Sequence, residues 1–577
     1  MTNENSETRP TLRPSSHAVT GSVVYNHFGH PCAYRLHLDL HGDRDLRCEP
    51  AALTRYFMER GNRHEARVFE RIQKERPDDC IAIARDPSLP HEEDLERRAA
   101  ATLEAMREGK GIIFHGVIQS EPGEVKKIVP GVGEEESPFR LRGETDILER
   151  VDGVPSDYGD YAYRVGDVKS SRDAQFPQKM QVAFYSLVLS RRQGAMPETG
   201  FIQTGADERV DFAIEPMLWT VRLFLEEEIH ETWEPGESPF HLTPYCDQCA
   251  WRDHCREQAE RDDDLSLIPG CRPGEKRALL AMGVRSRTEL AAKDDRALRA
   301  LGKSWGGRRD GFRDLKLRAS ALEFGRPVPK SDPGALPQAQ GGGRVPDPAS
   351  HRGPFLLVAG VADGFHGEDA ALAVWRLRRD DLGREAPTEK AGAVIHHRGT
   401  ADQPGEMLRR LYREISQTNR LLSSRRESVL PIFLSRSLPY RFRRLAESLG
   451  GEAVAARFVE EVLCDAVVLP EWLDRRFHLP LATFDVEEAA RLFGIEVASA
   501  PPGAHPEVAE RVQALAADFG FAGETLCEAT PHLRRLAVRE MRDDSAPVWR
   551  DVIERSLLRD LEAGARLMGH LLKGRRP

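Results

Sequence analysis

Three cysteines stand within ten residues, as Cys246-x2-Cys249-x5-Cys255, and no other feature of this 577-residue chain restricts its folding so tightly. Soft thiolates at such short spacings select zinc or an iron–sulfur cluster. Three ligands leave one place to fill. His241 and His254 lie close by, which makes zinc a competitor for the site. Nine cysteines in so long a chain do not make a disulfide scaffold, and their crowding points to metal rather than oxidation. Cys48, Cys80, Cys271, Cys464 and Cys527 have no partners at such spacings and read as ordinary thiols.

A chain of this length exceeds one hydrophobic core, so two to four domains are expected. No run of about 18 apolar residues offers a membrane span. Residues 1–17 are polar, lack a secretory core and read as a disordered leader, and a cytoplasmic location is expected. Helical and strand patterns mix from 18 to 262. Ala51 to Glu75 and Glu92 to Arg107 follow a helical period, while Phe139 to Val151 and Tyr161 to Lys169 alternate like strands. Short helices with glycine breaks fill 263–325, a Pro/Gly-rich linker follows at 326–354, and 355–577 reads as a separate α/β domain. The net charge is −10, yet residues 271–349 carry 17 Lys and Arg against 9 Asp and Glu, a local balance of +8. A basic middle on an acidic protein suits a local phosphate contact; a solvated helical face is the alternative.

The segment FRLRGETDILERVDG precedes YRVGDVKSS. In an extended strand Asp167 and Lys169 project together while Val168 points to the core. If the two segments pair, Asp146 lies beside Asp167. Two carboxylates and a main-chain carbonyl make a hard oxygen site for magnesium or manganese. Such a metal polarises a phosphate and acidifies a water, and Lys169 is placed to orient that water or neutralise developing charge. Downstream, Gln181 and Tyr185 in QVAFYSLVL are one helical turn apart and face the same way.

Asp146, then Asp167-x-Lys169, then Gln181-x-x-x-Tyr185 resembles the motif order of RecB-like PD-(D/E)XK nucleases. The likeness implies a mixed sheet flanked by helices and a metal-dependent deoxyribonuclease, an exonuclease in preference to an endonuclease. Upstream, ERGNRHEARVFERI resembles the family's first motif, a helix that carries His or Glu toward the metal. His64 and Glu65 are adjacent and cannot share one helical stripe, so both are candidates, with Glu65 preferred. RecB-like enzymes with an iron–sulfur clasp, including CRISPR-associated exonucleases, take one cysteine before the nuclease core and three after it. The resemblance therefore implies Cys32, Cys246, Cys249 and Cys255 as ligands of a [4Fe–4S] cluster, with zinc as the alternative.

Residues 263–325 resemble a helix–hairpin–helix element, whose backbone N–H groups and basic side chains meet DNA phosphates without reading sequence. The triplet Gly302, Lys303, Ser304 is no phosphate loop, because Ala297 stands where the motif needs Gly and no strand precedes it. The chain thus has no ATPase motif of its own. Residues 355–577 resemble an RNase H-like exonuclease domain that lacks the Asp-x-Glu pair on its first strand, leaving Asp363 at the strand's end and Asp560 in the closing helix. Without paired carboxylates a two-metal site cannot assemble, so the domain is expected to be degenerate. Asp465 and Asp485 are the other candidates there.

The expected function is cleavage of DNA, on single strands or ends, in repair or phage defence. A separate helicase or defence-complex subunit is a candidate partner. The competing readings are a catalytically idle DNA-binding or adaptor subunit and a zinc-stabilised interaction module.

Overall fold

The apolar run IIFHGVIQ, buried everywhere but at His115, and the more polar RLRGETDILERV supply two neighbouring inner strands of the first sheet. The computed structural model describes residues 18–577 except 51, 122–123, 126–139, 230–231, 233–237, 306–310, 331–346, 363–368, 383–392, 398–404, 426, 482–483, 497–545 and 574–577. The leader at 1–17, Asp363, Cys527 and the middle of the linker lie outside the described residues. The chain divides into two compact units, Met1–Gln258 and Ala259–Pro577.

In the first unit the elements run β1 (Ala18–Thr20), α1 (Gly21–Gly29), α2 (Ala33–His41), α3 (Ala52–Glu75), β2 (Cys80–Ala82), α4 (His91–Arg107), β3 (Ile112–Gln119), β4 (Arg140–Ser156), β5 (Gly159–Val168), α5 (Phe176–Gln193), β6 (Thr199–Gln203), β7 (Arg209–Ala213), α6 (Glu215–Leu223) and α7 (Arg252–Arg261), within which the division falls. The sheet order is β2-β3-β4-β5-β6-β7, with β1 parallel to the start of β4. β3, β4 and β5 are antiparallel neighbours, while β5 and β6 run parallel. The sheet is mixed and flanked by helices, as expected.

Helix α5 is apolar almost all round, the pattern of a core helix. Met180, Val182, Ala183, Phe184, Val188 and Leu189 have no exposed surface, and each such larger side chain contributes about 1.5–3 kcal/mol by burial. A reciprocal Gln175–Gln178 capping box starts the helix, and Gly194 at φ +69° ends it. On the opposite side α3 lays Val68, Phe69 and Ile72 against Phe114, Ile147, Val168 and Phe201.

The second unit opens with four short helices, α8 (Pro273–Ala281), α9 (Arg287–Ala292), α10 (Asp295–Ser304) and α11 (Gly311–Phe324), around Leu279, Leu290, Leu298, Phe312 and Leu315. β8 (Val328–Pro329) pairs with Phe477–His478, and Asp347 accepts from the Trp472 indole and from Arg476. Both described ends of the expected linker are therefore built into this unit. Its larger sheet comprises β9 (Phe355–Ala362), β10 (Asp369–Leu377), β11 (Ala393–His397), β12 (Leu430–Phe433) and β13 (Val467–Val468), in the order β11-β10-β9-β12-β13. The first three are mutually antiparallel, and β12 and β13 run parallel to β9. The final helix (Ala546–Leu572) packs on β9 through Leu557, Leu561 and Leu567.

Candidate active site and thiol cluster

The β4–β5 register pairs Ile147 with Gly166 and Leu148 with Val165. One step further along, Asp146 and Asp167 fall side by side, as the alternation predicts. The Asp146 carboxylate accepts the Val168 N–H at 2.7 Å, which carries the join past the end of the ladder. The Lys169 ammonium stands 2.7 Å from Asp167 Oδ2 and 3.9 Å from Asp146 Oδ2. Burial resists the charge on Lys169, but Asp167 and Asp146 overcome it and hold the ammonium well above its ordinary range. Burial drives Asp167 upward, Lys169 opposes this and Asp146 adds to it, leaving the carboxyl well above the usual carboxylate range.

Glu65 reaches this acid pair from α3. Burial and then the Asp146 charge push it up to about 7, against the pull of Lys169. His64, one residue earlier, is buried on the stripe that continues to Val68. The two residues thus diverge, as adjacent helical positions must, and Glu65 feels the charges of Asp146 and Lys169. Glu65 Oε1 also lies 3.5 Å from His115 Nδ1 in β3. No sequence motif marks His115. Its signal is a backbone φ of +53°, unusual for a non-glycine residue inside a strand.

Gln181 Nε2 donates to the Tyr185 hydroxyl at 3.0 Å, and both side chains are buried. Burial followed by the Asp167 charge raises the Tyr185 hydroxyl well above its ordinary range, which places the pair beside the acids. Gly21 and Gly143 make room for the ring: a Cβ at Gly143 would fall 2.6 Å from Tyr185 Cδ1. At the far end of α5 the buried Gln193 amide bonds to both backbone groups of Tyr163, at 2.8 and 3.0 Å. That link fixes the helix along β5 and so sets Gln181 and Tyr185 over Asp167.

The thiols gather where α2 meets the loop after residue 240. Cys32 caps α2 and accepts the Arg35 N–H at 3.4 Å, Cys246 accepts the Thr243 N–H at 3.2 Å, and Cys249 accepts the Trp251 N–H at 3.5 Å. Burial, then the charges of Cys249, Cys246, Cys32 and Cys48, push the Cys255 thiol upward. Cys48 belongs to this cluster, against the reading from spacing alone. Its backbone N–H donates to Ala250 at 2.8 Å, a pairing across 202 residues that local spacing does not reveal. Trp251 Nε1 and Arg47 Nη2 both donate to Asp39 Oδ1 at 2.8 Å, and Tyr34 donates to Gln258 at 2.6 Å. Hydrogen bonds therefore tie the two ends of the unit together where the thiols gather.

No group of three or more His, Cys, Asp or Glu among the described residues is arranged to hold a metal ion in this structure. At the acids, Lys169 itself supplies the countercharge. The donor set nevertheless fits a hard cation in chemistry, since Glu65, Asp146 and Asp167 share a single ammonium and two of them are held above the carboxylate range. The four spaced cysteines fit a soft centre in the same sense.

In the second unit Asp485 caps a helix, accepting from Glu487 and Glu488 N–H at 2.9 and 3.0 Å. Asp465 is exposed, and Asp560 is buried in the final helix. Gly302, Lys303 and Ser304 form the end of α10 rather than a loop after a strand.

A mixed sheet sets two aspartates and a lysine side by side, and flanking helices bring a glutamate and a Gln–Tyr pair to the same end. Residues 30–256 match the PD-(D/E)XK nuclease superfamily and constitute a domain of that superfamily. Nucleases of this superfamily use divalent metals such as Mg2+ and Mn2+. No curated protein matches the chain. Among the described residues no helix is long and apolar enough to cross a membrane.

Proposed function

We propose that the chain is a divalent-metal-dependent deoxyribonuclease of the RecB-like type that acts on single strands or ends. The observation that carries this reading is the alignment of Asp146 and Asp167 with Lys169 2.7 Å from Asp167. Asp146, Asp167 and Glu65 are the residues to hold magnesium or manganese, which when bound polarises the phosphate and acidifies water. Lys169 directs its N–H donors to the water oxygen and to the charge that develops on the phosphate. That oxygen bonds to phosphorus as the P–O bond to the leaving strand breaks, and the leaving oxygen takes up a proton. Gln181 and Tyr185 back the acid pair and exclude water from behind it.

Cys32, Cys246, Cys249 and Cys255 are proposed to hold a [4Fe–4S] cluster that fastens the ends of the nuclease domain, with zinc as the competing occupant. Backbone N–H donors to three of the four sulfurs support this, since outer hydrogen bonds of that kind orient metal ligands. The helical module at 263–325 is read as a phosphate-contacting element and 355–577 as an RNase H-like domain without catalytic acids. The strand order β11-β10-β9-β12-β13 and the apolar run Phe355–Ala362 support the second of these readings.

The test is to incubate anaerobically purified chain with labelled single- and double-stranded DNA, with and without Mn2+. Metal-dependent cleavage, faster on single strands or from ends, is the expected result. No cleavage of any strand with metal present would overturn the proposal.

A further inference from the structure

At position 115 the backbone calls for glycine and a histidine stands there. The φ of +53° lies in the left-handed region, which is unfavourable for a residue with a Cβ. The β3–β4 ladder pairs Phe114 with Ile147 and Gly116 with Thr145, and skips the pair between them. The two residues at the gap are His115 and Asp146. Side chains take over the bonds that the ladder gives up. Arg98 Nη2 donates to the His115 carbonyl at 3.1 Å, the Val117 N–H donates to Thr102 Oγ1 at 2.9 Å, and Thr145 Oγ1 donates to the Gly116 carbonyl at 3.1 Å. Backbone strain over-determined by its surroundings in this way gathers at functional sites.

The strained turn also aims the ring. His115 Nδ1 lies 3.5 Å from Glu65 Oε1, and the ring meets Phe69 edge-on at 4.9 Å. Glu65 and Phe69 are one helical turn apart on α3, so His115 grips that helix at two successive turns. We infer that His115 is a positioning residue that holds Glu65 toward Asp146, so that the carboxylate is in place for the divalent cation. This deepens the nuclease reading and rests on it.

The test compares His115→Gly and His115→Asn with wild type in the full chain. Mn2+ affinity is measured by titration calorimetry, and kcat and KM on labelled single-stranded DNA. Glycine accepts the left-handed φ, so His115→Gly keeps the wild-type circular dichroism and melting behaviour. Losing an outer partner of a metal ligand costs about 10–100-fold, so Mn2+ affinity and kcat fall by that factor while KM for DNA stays near wild type. Asparagine tolerates the same φ and returns a donor, so His115→Asn recovers part of the loss. Wild-type Mn2+ affinity and kcat in His115→Gly would overturn the assignment, as would a loss matched by loss of folded structure. A wild-type chain that neither binds Mn2+ nor cleaves DNA would instead overturn the nuclease reading itself.

Discussion

Gly143 is the position at which the fold of the active site can be tested without touching a reacting group. An alanine Cβ there would fall 2.6 Å from Tyr185 Cδ1 and 3.0 Å from Ile118 Cγ1. Non-bonded carbons rest at about 3.5–4.0 Å, so the ring must retreat by about 1 Å. It has little room to do so, since Tyr185 is 4% and Ile118 1% exposed. Overpacking of this kind costs about 1–3 kcal/mol, of which about 0.4–1 kcal/mol is offset by the lower entropy of the unfolded alanine chain. A net loss of about 1–2 kcal/mol should speed amide exchange across 140–148 and 176–193 by about 5–30-fold in hydrogen–deuterium exchange of the full chain. Moving the Gln181–Tyr185 pair from behind the acids should also slow Mn2+-dependent cleavage by about 10–100-fold. The control is Tyr185→Leu, which removes the ring. In that background the further exchange cost of Gly143→Ala should fall below about 0.5 kcal/mol, because the two changes share one contact. Gly143→Ala that exchanges and cleaves like wild type, or that costs as much without the ring, would refute the packing argument.

Three further outcomes are expected. Anaerobic full-length protein should carry iron and sulfide that Cys249→Ser loses, with destabilisation of the first unit; stoichiometric zinc without iron would replace the cluster with zinc and leave the clasp in place. Glu149 is raised by burial, but the bonds and charges of Arg209 and Arg164 outweigh this and hold it below the usual range. Its stabilising contribution is therefore present above the unfolded value near ~4.3 and lost as pH falls through the lowered folded value. The gap in melting temperature between wild type and Glu149→Gln should close across that acid window, and a gap unchanged by pH would count against the ion cluster. Asp560→Ala should leave DNA cleavage at the wild-type rate, whereas a loss of cleavage with the fold intact would give the C-terminal region a catalytic part.

Much of the placement of the candidate residues could be read in advance because it is written in short-range periodicity. The helical stretches anticipated at 51–75 and 92–107 are α3 and α4 to within one residue, and the two alternating stretches are β4 and β5. The juxtaposition of Asp146 with Asp167 follows from the two-residue repeat of a strand once those strands pair. What could not be read depends on backbone conformation or distant contacts. His115 matters through a φ value, and Gly143 through a ring 42 residues away, neither of which has a local pattern. Cys48 lies beside these thiols through a backbone bond to Ala250, a proximity that spacing could not show. The linker looked uniform in composition, yet its ends pair with Phe477–His478 and accept from Trp472 and Arg476.

Asp167 and Lys169 are the groups expected to carry Mn2+-dependent hydrolysis. The direct measurement is the single-turnover cleavage rate of labelled single-stranded DNA by wild type, Asp167→Ala and Lys169→Ala, each purified anaerobically and verified as folded. Both variants should be slower by at least about 100-fold, since each loses a group that acts on the charge of the transition state. Cleavage by either variant at the wild-type rate would contradict the account.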